Sequence, residues 1–302
     1  LNQVPVNQRP RVYVRCLAQS IDPDDFVHVW GMAKWMNLYE QMVNEMVAFS
    51  GGAVLATNEE MVAHMRIAGW TAPIYNISGL AFGKAEVLER IGGVENITPF
   101  VQRARRVGFA ARFDQEKQPG FFMDLIEMYS ELTSEPCEFA IYSGGPLRSN
   151  NPEYVERARR MEAEGKIKIY DNISKNEYYS HLNNTRVLFN CALQDWVSNT
   201  VSEADTLGCN VLYPAYRSFP ETFANDSNRL YIPWSIDDAY HKMQNLLREP
   251  HHNMGLISDW NNATVDRIVD IITGSGEQWN RAGNRYRDHA AHEKYQVVKI
   301  EE

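Results

Sequence analysis

Cysteine is scarce in this chain of 302 residues, and its four cysteines show no Cys-x-x-Cys spacing. Closely spaced pairs are typical of zinc sites and redox motifs, so the sequence favours buried free thiols over either. Long apolar runs are missing too, since no stretch approaches the roughly 20 residues that cross a bilayer. No signal peptide opens the chain, and we therefore expect a cytoplasmic protein without a transmembrane segment. The cysteines are Cys16, Cys137, Cys191 and Cys209.

A surplus of positive charge is also missing. The formal net charge is -9, with 30 Lys and Arg residues against 39 Asp and Glu residues. A protein that covers nucleic acid through charge presents a basic surface, so this balance argues against a broad nucleic-acid interface. Two short basic runs, residues 103–106 and 157–160, are predicted to be solvated surface, because acidic residues flank the second run.

Strand-like and helix-like segments alternate along most of the chain, which predicts an α/β protein. From residue 106 onward, five or six such units follow one another. This arrangement predicts a Rossmann-like, doubly wound domain whose ligands bind at the carboxyl ends of the strands. Its predicted strands are residues 107–111, 137–142, 167–170, 187–193 and 210–213.

The first hundred residues carry fewer strand–helix units. Strands are predicted at residues 11–17, 53–57 and 72–77, and a helix at residues 30–49. Large apolar residues recur on that helix at helical spacing, and we predict that their stripe packs into the core. The stripe consists of Trp35, Leu38, Met42 and Met46.

The most informative junction spans residues 187–208, where an apolar strand is followed by a helix. A helix N-terminus presents unpaired backbone amides and a positive dipole end, which together suit a phosphate or a sugar oxygen. Asp195 precedes this helix and Glu203 lies within it, so both carboxylates can accept hydrogen bonds from hydroxyls of one ligand. The predicted capping residues are Ser198, Asn199 and Thr200.

A second polar stretch, Arg112-Phe-Asp-Gln-Glu-Lys117, follows the first predicted strand of the larger domain. A phosphate or diphosphate group carries negative charge that a binding site must compensate. A planar guanidinium and an ammonium ion can neutralise that charge. We therefore predict that Arg112 and Lys117 form a phosphate-binding pair.

Together the two stretches resemble the GT-B glycosyltransferases, particularly the large retaining family four. In that family an Arg-x-x-x-Glu-Lys element precedes two acids separated by seven residues, and the second acid opens a Glu-Ala-x-x-x-Gly run. Here Asp195 stands where the first acid is usually Glu, and Trp196-Val197-Ser198 replaces the usual Gly-Phe-Gly. The matching residues are Arg112, Glu116, Lys117, Glu203, Ala204 and Gly208.

The resemblance implies an α/β GT-B fold, in which two Rossmann-like domains face a cleft. Residues 1–100 would form the acceptor-side domain, which is either unusually small or lacks its beginning. Residues 101–275 would bind the nucleotide sugar. A helix within residues 276–302, at about 279–293, would cross back to the N-terminal domain.

The resemblance also implies transfer from a UDP-sugar or GDP-sugar to an acceptor hydroxyl, with retention and without a metal ion or other cofactor. Arg112, Lys117 and Asp195 would be the catalytic residues, with Asp195 at the donor sugar and Glu203 at the ribose diol. Further donor contacts would come from helix N-terminal amides, a glycine-rich turn and a loop at the nucleotide base, with a histidine of the N-terminal domain at the sugar. These residues would be Ser198, Asn199, Thr200, Gly144, Asn172, Ile173 and His28.

Several alternatives remain open. A non-catalytic nucleotide-sugar-binding module would use the same fold, and sugar-nucleotide 2-epimerases and phosphorylases also reuse it. The acceptor can be a glycan, a small molecule or a modified base in nucleic acid. Asp22-Pro-Asp24 matches the Asp-x-Asp metal element of GT-A glycosyltransferases, but a proline between two aspartates is typical of a turn that leads into a helix.

Overall fold

The computed structural model describes residues 3–5, 8–16, 19–192, 195–252 and 255–274, which divide into two compact units. The first unit combines residues up to Leu80 with those from Ala263 onward, and the second comprises Ala81–Asn262. The strands are β1 (Tyr13–Arg15), β2 (Ala53–Ala56), β3 (Ile74–Asn76), β4 (Ala104–Phe109), β5 (Glu138–Tyr142), β6 (Lys168–Tyr170), β7 (Thr185–Phe189), β8 (Asn210–Pro214) and β9 (Leu230–Tyr231). The α-helices are α1 (Phe26–Val29), α2 (Ala33–Ser50), α3 (Glu59–Ile67), α4 (Lys84–Arg90), α5 (Pro119–Leu132), α6 (Pro152–Ala163), α7 (Lys175–Asn183), α8 (Asn199–Thr206), α9 (Phe219–Thr222), α10 (Ile236–Arg248), α11 (Leu256–Asn262) and α12 (Thr264–Thr273).

The first unit is built on a parallel sheet of three strands in the order β1-β2-β3. All four residues of β2 are buried, as expected of a central parallel strand. Helix α12 belongs to this unit, where the Arg267 guanidinium donates to the Ile77 carbonyl at 2.9 Å. Within the described residues, this sheet has half as many strands as the sheet of the second unit.

Helix α2 buries a different face from the predicted one. Val43 and Val47 are buried, whereas the stripe predicted to be core is exposed. The prediction was wrong because helical periodicity shows which side chains share a face but not which face meets the sheet. The exposed fractions are 71% for Trp35, 45% for Leu38, 70% for Met42 and 39% for Met46.

The Asp22-Pro-Asp24 segment forms the predicted turn and helix start. Asp22 accepts a hydrogen bond from the Asp24 amide at 3.0 Å. Asp25 caps α1 by accepting from the Val27 amide at 3.1 Å, which satisfies one of the free amides of the first turn.

The second unit is a doubly wound parallel sheet in the order β6-β5-β4-β7-β8-β9. From β4 the chain proceeds outward to β5 and β6, then returns to β7 on the other side of β4 and continues to β8 and β9. This order is the Rossmann arrangement, in which a crevice opens between the two strands where the direction reverses. The carboxyl ends of β4 and β7 therefore mark the place where a ligand is expected.

Apolar cores lie on both faces of this sheet. On one face Phe122 of α5 stacks on Phe109 of β4 and Phe189 of β7, at ring-centroid distances of 5.2 Å and 5.6 Å. On the other face Val201 and Leu207 pack beside Leu188 of β7. These cores fix the positions of α5 and α8 on the sheet, and with them the loops that precede both helices.

Part of the first basic run is buried rather than solvated, contrary to prediction. The Arg103 guanidinium donates to the carbonyls of Thr98, Thr185 and Leu207, and Arg106 is ion-paired with Glu138. Charge patterning failed here because a guanidinium whose donors meet carbonyl oxygens can be buried.

The expected burial of the cysteines holds for two of the four, and none of them forms a disulfide. Cys191 and Cys209 are buried, whereas Cys16 and Cys137 are half-buried. Burial raises the pKa of the Cys209 thiol to about 12, which keeps it protonated and unreactive at neutral pH.

The boundaries between units differ from the predicted ones. They fall after Leu80 and after Asn262, whereas the sequence suggested residues 100 and 275. Helices α11 and α12 are separated at Ala263 and belong to different units. The crossing helix predicted within residues 276–302 lies outside the described residues.

The exposure of the predicted stripe of α2 can be tested by comparing Met42 of this helix with Met65 of α3. Met65 is fully buried and Met42 is 70% exposed. We expect Met65→Ala to lower the free energy of unfolding by about 2–5 kcal/mol, because it leaves a cavity. Met42→Ala should change it by no more than about 0.5 kcal/mol. Urea denaturation measures both, and equal losses would show that the Met42 face is covered in solution.

Candidate nucleotide-sugar site

The loop after β4 returns Lys117 to the carboxyl end of the sheet. Residues Gln115–Lys117 form a single 3-10 turn, and Gln118 follows with a φ of +47°. Pro119 then starts α5, where its missing amide hydrogen costs nothing. This sharp reversal leaves Lys117 buried at the edge of the sheet.

Lys117 meets Asp195 across the reversal point of the sheet. The Lys117 ammonium donates to Asp195 Oδ1 at 2.5 Å, with exposed side-chain fractions of 7% and 22%. Ser218 fixes the same loop by donating to the Asp195 carbonyl at 2.6 Å. Residues from the β4–α5 and β7–α8 connections, 78 positions apart in sequence, thus form one ion pair.

Arg112 lies in the same loop as Lys117 but has other partners. Its guanidinium contacts Glu116 Oε1 at 2.6 Å and Asp114 Oδ2 at 3.3 Å. Its side chain is 44% exposed, whereas that of Glu116 is 5% exposed. The predicted phosphate pair therefore consists of one buried cation and one accessible cation, each beside a different carboxylate.

Helix α8 begins as predicted, but Ser198 does not cap it. Ser198 occupies the N-cap position without a side-chain capping bond. Its hydroxyl instead shares hydrogen bonds with Thr200 Oγ1 at 2.8 Å and Tyr213 OH at 3.1 Å. The first-turn amides, including that of Asn199, are thus not taken up by the Ser198 side chain, and such amides attract anions.

Glu203 is held by three donors from α7. Lys175 Nζ lies 2.5 Å from Oε1, Tyr179 OH donates to Oε1 at 3.1 Å, and Tyr178 OH donates to Oε2 at 3.1 Å. Burial, followed by the charge of Glu203, raises the pKa of both tyrosines, so each remains a protonated donor at neutral pH. The Glu203 side chain is 7% exposed.

The loops after β5 and β6 contact each other at the same edge of the sheet. The backbone amide of Asn172 donates to the Gly145 carbonyl at 3.1 Å, and that of Ile173 donates to the Ser143 carbonyl at 3.2 Å. Asn172 has a φ of +56°, a conformation that asparagine tolerates better than most residues. A Cβ at Gly144 would meet only the Ile173 carbonyl, at an ordinary 3.8 Å, so packing within the protein does not require glycine there.

The other two residues of the Glu-Ala-x-x-x-Gly run, which begins at Glu203, have structural roles. Ala204 is fully buried among the apolar residues beneath α8. Gly208 follows the helix with a φ of +71°, a conformation that glycine adopts with the least strain.

His28 belongs to the first unit. Its Nε2 lies 2.7 Å from the Ser20 carbonyl oxygen, so the ring has a partner within its own unit. A contact between His28 and a donor sugar remains a prediction, as do the ligand roles of the residues described above.

Sequence reasoning missed Lys175, Tyr178 and Tyr179. A signal was present, because the Ser174-x-x-Glu177 capping box marks the start of α7 and the spacing places all three on one face. Their contact with Glu203 depends on the packing of α7 beside α8, which sequence spacing does not give. Among the described residues, no group of three or more His, Cys, Asp or Glu side chains is placed to hold a metal ion.

No protein-family model and no curated protein sequence matches the chain. The chain nevertheless has the GT-B glycosyltransferase fold, as comparison with solved structures shows. A search of the described helices finds none long and apolar enough to cross a membrane.

Three solved structures illustrate the likeness. An α,α-trehalose-phosphate synthase (UDP-forming) from Burkholderia xenovorans, in complex with glucose-6-phosphate, has a TM-score of 0.57 at 11% identity over 93% of this chain and 69% of its own. Sucrose-phosphate synthase from Thermosynechococcus elongatus gives 0.53 at 14% identity over 80% and 60%. A point mutant of TarM from S. aureus, bound to fondaparinux, α-GlcNAc-glycerol and UDP, gives 0.55 at 12% identity over 89% and 50%. The chain thus spans between half and about two thirds of these proteins.

A double-mutant cycle tests the ion pair between Lys117 and Asp195. Asp195→Asn leaves the buried ammonium without its counter-ion, so we expect a loss of about 1–3 kcal/mol in unfolding free energy. Lys117→Met in the Asp195→Asn background should cost less than it does alone, with a coupling of at least about 0.5 kcal/mol. Hydrogen exchange of peptides from residues 81–262 reports the stability of this unit.

The exposed i,i+4 pair of Glu86 and Arg90 provides the reference cycle. Its coupling should not exceed about 0.5 kcal/mol. A coupling no larger than this reference for Lys117 and Asp195 would contradict a direct buried contact.

Proposed function

We propose that this chain is a glycosyltransferase that moves a sugar from a nucleotide-diphosphate sugar to an acceptor hydroxyl, with retention and without a metal ion. The observation that carries the proposal is the Lys117–Asp195 pair at the reversal point of a sheet in a GT-B fold. That point is where doubly wound sheets bind ligands. A cation and an acid held together there suit the diphosphate and the sugar of one donor.

The cations near the reversal point support the leaving-group role. When the bond between the sugar and the diphosphate breaks, negative charge grows on the phosphate oxygens. In the proposed complex Lys117 and Arg112 face that charge, and the first amides of α8 add hydrogen-bond donors. Arg112 is 44% exposed, so its guanidinium is accessible to a phosphate.

The remaining polar groups suit the sugar and the nucleoside. Asp195 accepts from donor-sugar hydroxyls, and Glu203 accepts from the ribose diol. The peptide groups at Asn172 and Ile173 contact the base, and Gly144 gives the diphosphate close access to the backbone. The acceptor hydroxyl then attacks from the side on which the diphosphate leaves, which retains the anomeric configuration.

Two of the structural neighbours point to UDP as the nucleotide. One is described as UDP-forming, and another was solved with UDP bound. GDP is the other nucleotide that the resemblance to retaining GT-B enzymes implies. We therefore propose a UDP-sugar or GDP-sugar as donor. The acceptor hydroxyl belongs to a glycan, a small molecule or a modified base in nucleic acid, and we propose a cytoplasmic location, as expected from the sequence.

Nucleotide binding tests the site through a matched pair of arginines. UDP or GDP should raise the melting temperature of the unaltered chain, and Arg112→Ala should weaken binding about tenfold or more through loss of a charged hydrogen bond. Arg105→Ala is the control, because Arg105 lies in the first half of β4 and is paired with Glu135. Thermal shift measures the melting temperatures, and titration calorimetry measures the nucleotide affinities. Equal losses of affinity in the two variants would contradict the phosphate role of Arg112.

Turnover separates a transferase from a binding module. We expect slow hydrolysis of one UDP-sugar or GDP-sugar, unaffected by EDTA, that releases the sugar with its anomeric configuration retained. Asp195→Asn should reduce this rate at least about tenfold while nucleotide binding persists. Proton NMR of the released sugar follows both rate and anomer. Tight binding without turnover of any sugar would favour the non-catalytic module, and an inverted product would contradict retention.

A further inference from the structure

The Glu203 carboxylate has few free acceptor positions. An ionised carboxylate offers about four lone-pair sites. Lys175 and Tyr179 take two at Oε1, and Tyr178 takes one at Oε2. A vicinal diol that donates both hydroxyl hydrogens needs two sites, so one of these donors must leave when a ribose binds.

The two tyrosines are poor candidates for leaving. Tyr178 is 8% exposed and Tyr179 is 3% exposed. Their rings lie 5.4 Å apart, and Tyr178 also meets Tyr142 edge-on at 6.0 Å. Moving either phenol would disturb the apolar core beneath α7 and α8.

Lys175 is placed to leave at little cost. Its side chain is 49% exposed while that of Glu203 is 7% exposed, so the ammonium lies on the solvent side of the carboxylate. Lys175 is the first residue of α7, whose start is fixed by the Ser174 capping box, so the side chain can swing without moving the helix. The ammonium also lies over the rings of Tyr178 and Tyr179, 4.9 Å and 4.8 Å from their centroids. An ammonium that swings into water is rehydrated, which offsets the loss of these ring contacts and of the ion pair.

We propose that Lys175 is a displaceable counter-ion that occupies Glu203 in the free protein and gives way to the ribose diol of the nucleotide. This inference rests on the proposed function, because it takes a ribonucleotide as the ligand. It adds a specificity-determining role for a lysine that is not among the predicted donor contacts. The exchange makes Lys175 a competitor of the ribose hydroxyls and of no other part of the nucleotide.

Competition between Lys175 and the ribose predicts the direction in which nucleotide affinity changes when the lysine is removed. Lys175→Met removes the competitor, so affinity for UDP or GDP should rise by about two- to fivefold, the range that corresponds to an ion pair with one half-exposed partner. Affinity for the 2′,3′-dideoxy diphosphate of the same base should stay unchanged, because that analogue has no hydroxyl groups for Glu203. The dissociation constant of the dideoxy analogue divided by that of the ribonucleotide therefore grows in the variant. Titration calorimetry at a fixed ionic strength of about 0.1 M measures all four constants.

Two further variants serve as controls. Lys168→Met removes another exposed lysine of this unit, which pairs with Glu138 at the same 2.5 Å, and should leave the ratio unchanged. In a Glu203→Gln background the charge that holds Lys175 is absent, so Lys175→Met should no longer alter the ratio. Thermal melting of each variant confirms that it is folded.

The other outcomes are equally decisive. An equal loss of affinity for both nucleotides would show that Lys175 contacts a phosphate or the base, and would overturn the inference. A selective loss for the ribonucleotide would overturn it too, because Lys175 would then support the ribose. An unchanged ratio would overturn the inference while leaving the proposed function intact. If the unaltered chain binds none of these nucleotides, the proposed function fails and the inference fails with it.

Discussion

The contact between Lys117 and Asp195 depends on the order of strands in the second unit. Because β4 and β7 are neighbours, the two connecting loops begin side by side at the carboxyl end of the sheet, although their following helices lie on opposite faces. A cation from one loop and an acid from the other meet there at 2.5 Å. The apolar core around Phe122 packs α5 on one face of the sheet, and the core around Val201 packs α8 on the other. Both loops therefore end on rigid elements.

The charged groups at this edge of the sheet compensate one another in the free protein. Lys117 is neutralised by Asp195, and Glu203 by Lys175. On the proposed function, a donor exchanges these partners rather than entering an uncompensated site: its diphosphate meets the cations and its hydroxyls meet the acids. Such an exchange favours ligands that carry both kinds of group, as a nucleotide sugar does.

The corrected features show what kinds of inference fail. Amphipathic periodicity predicted a helix that matches α2 closely, yet the side that meets the sheet is the one with Val43 and Val47. Trp35 and Met42, the larger apolar residues, are exposed. Likewise, local charge patterning marked Arg103 as solvated, although its guanidinium is surrounded by carbonyl oxygens from distant residues. In both cases the deciding contacts lie far away in sequence.

The sequence alone determined the alternation of strands and helices, the α/β class, the GT-B resemblance and the start of α8, because these follow from local periodicity and short motifs. It also singled out Lys117 and Asp195, since residue type and position after a strand are local properties. Only the tertiary structure decided that these two side chains touch, that Arg112 pairs elsewhere, and that Tyr178, Tyr179 and Lys175 surround Glu203. Those contacts depend on strand order and helix packing, which bring together residues that the chain itself keeps far apart.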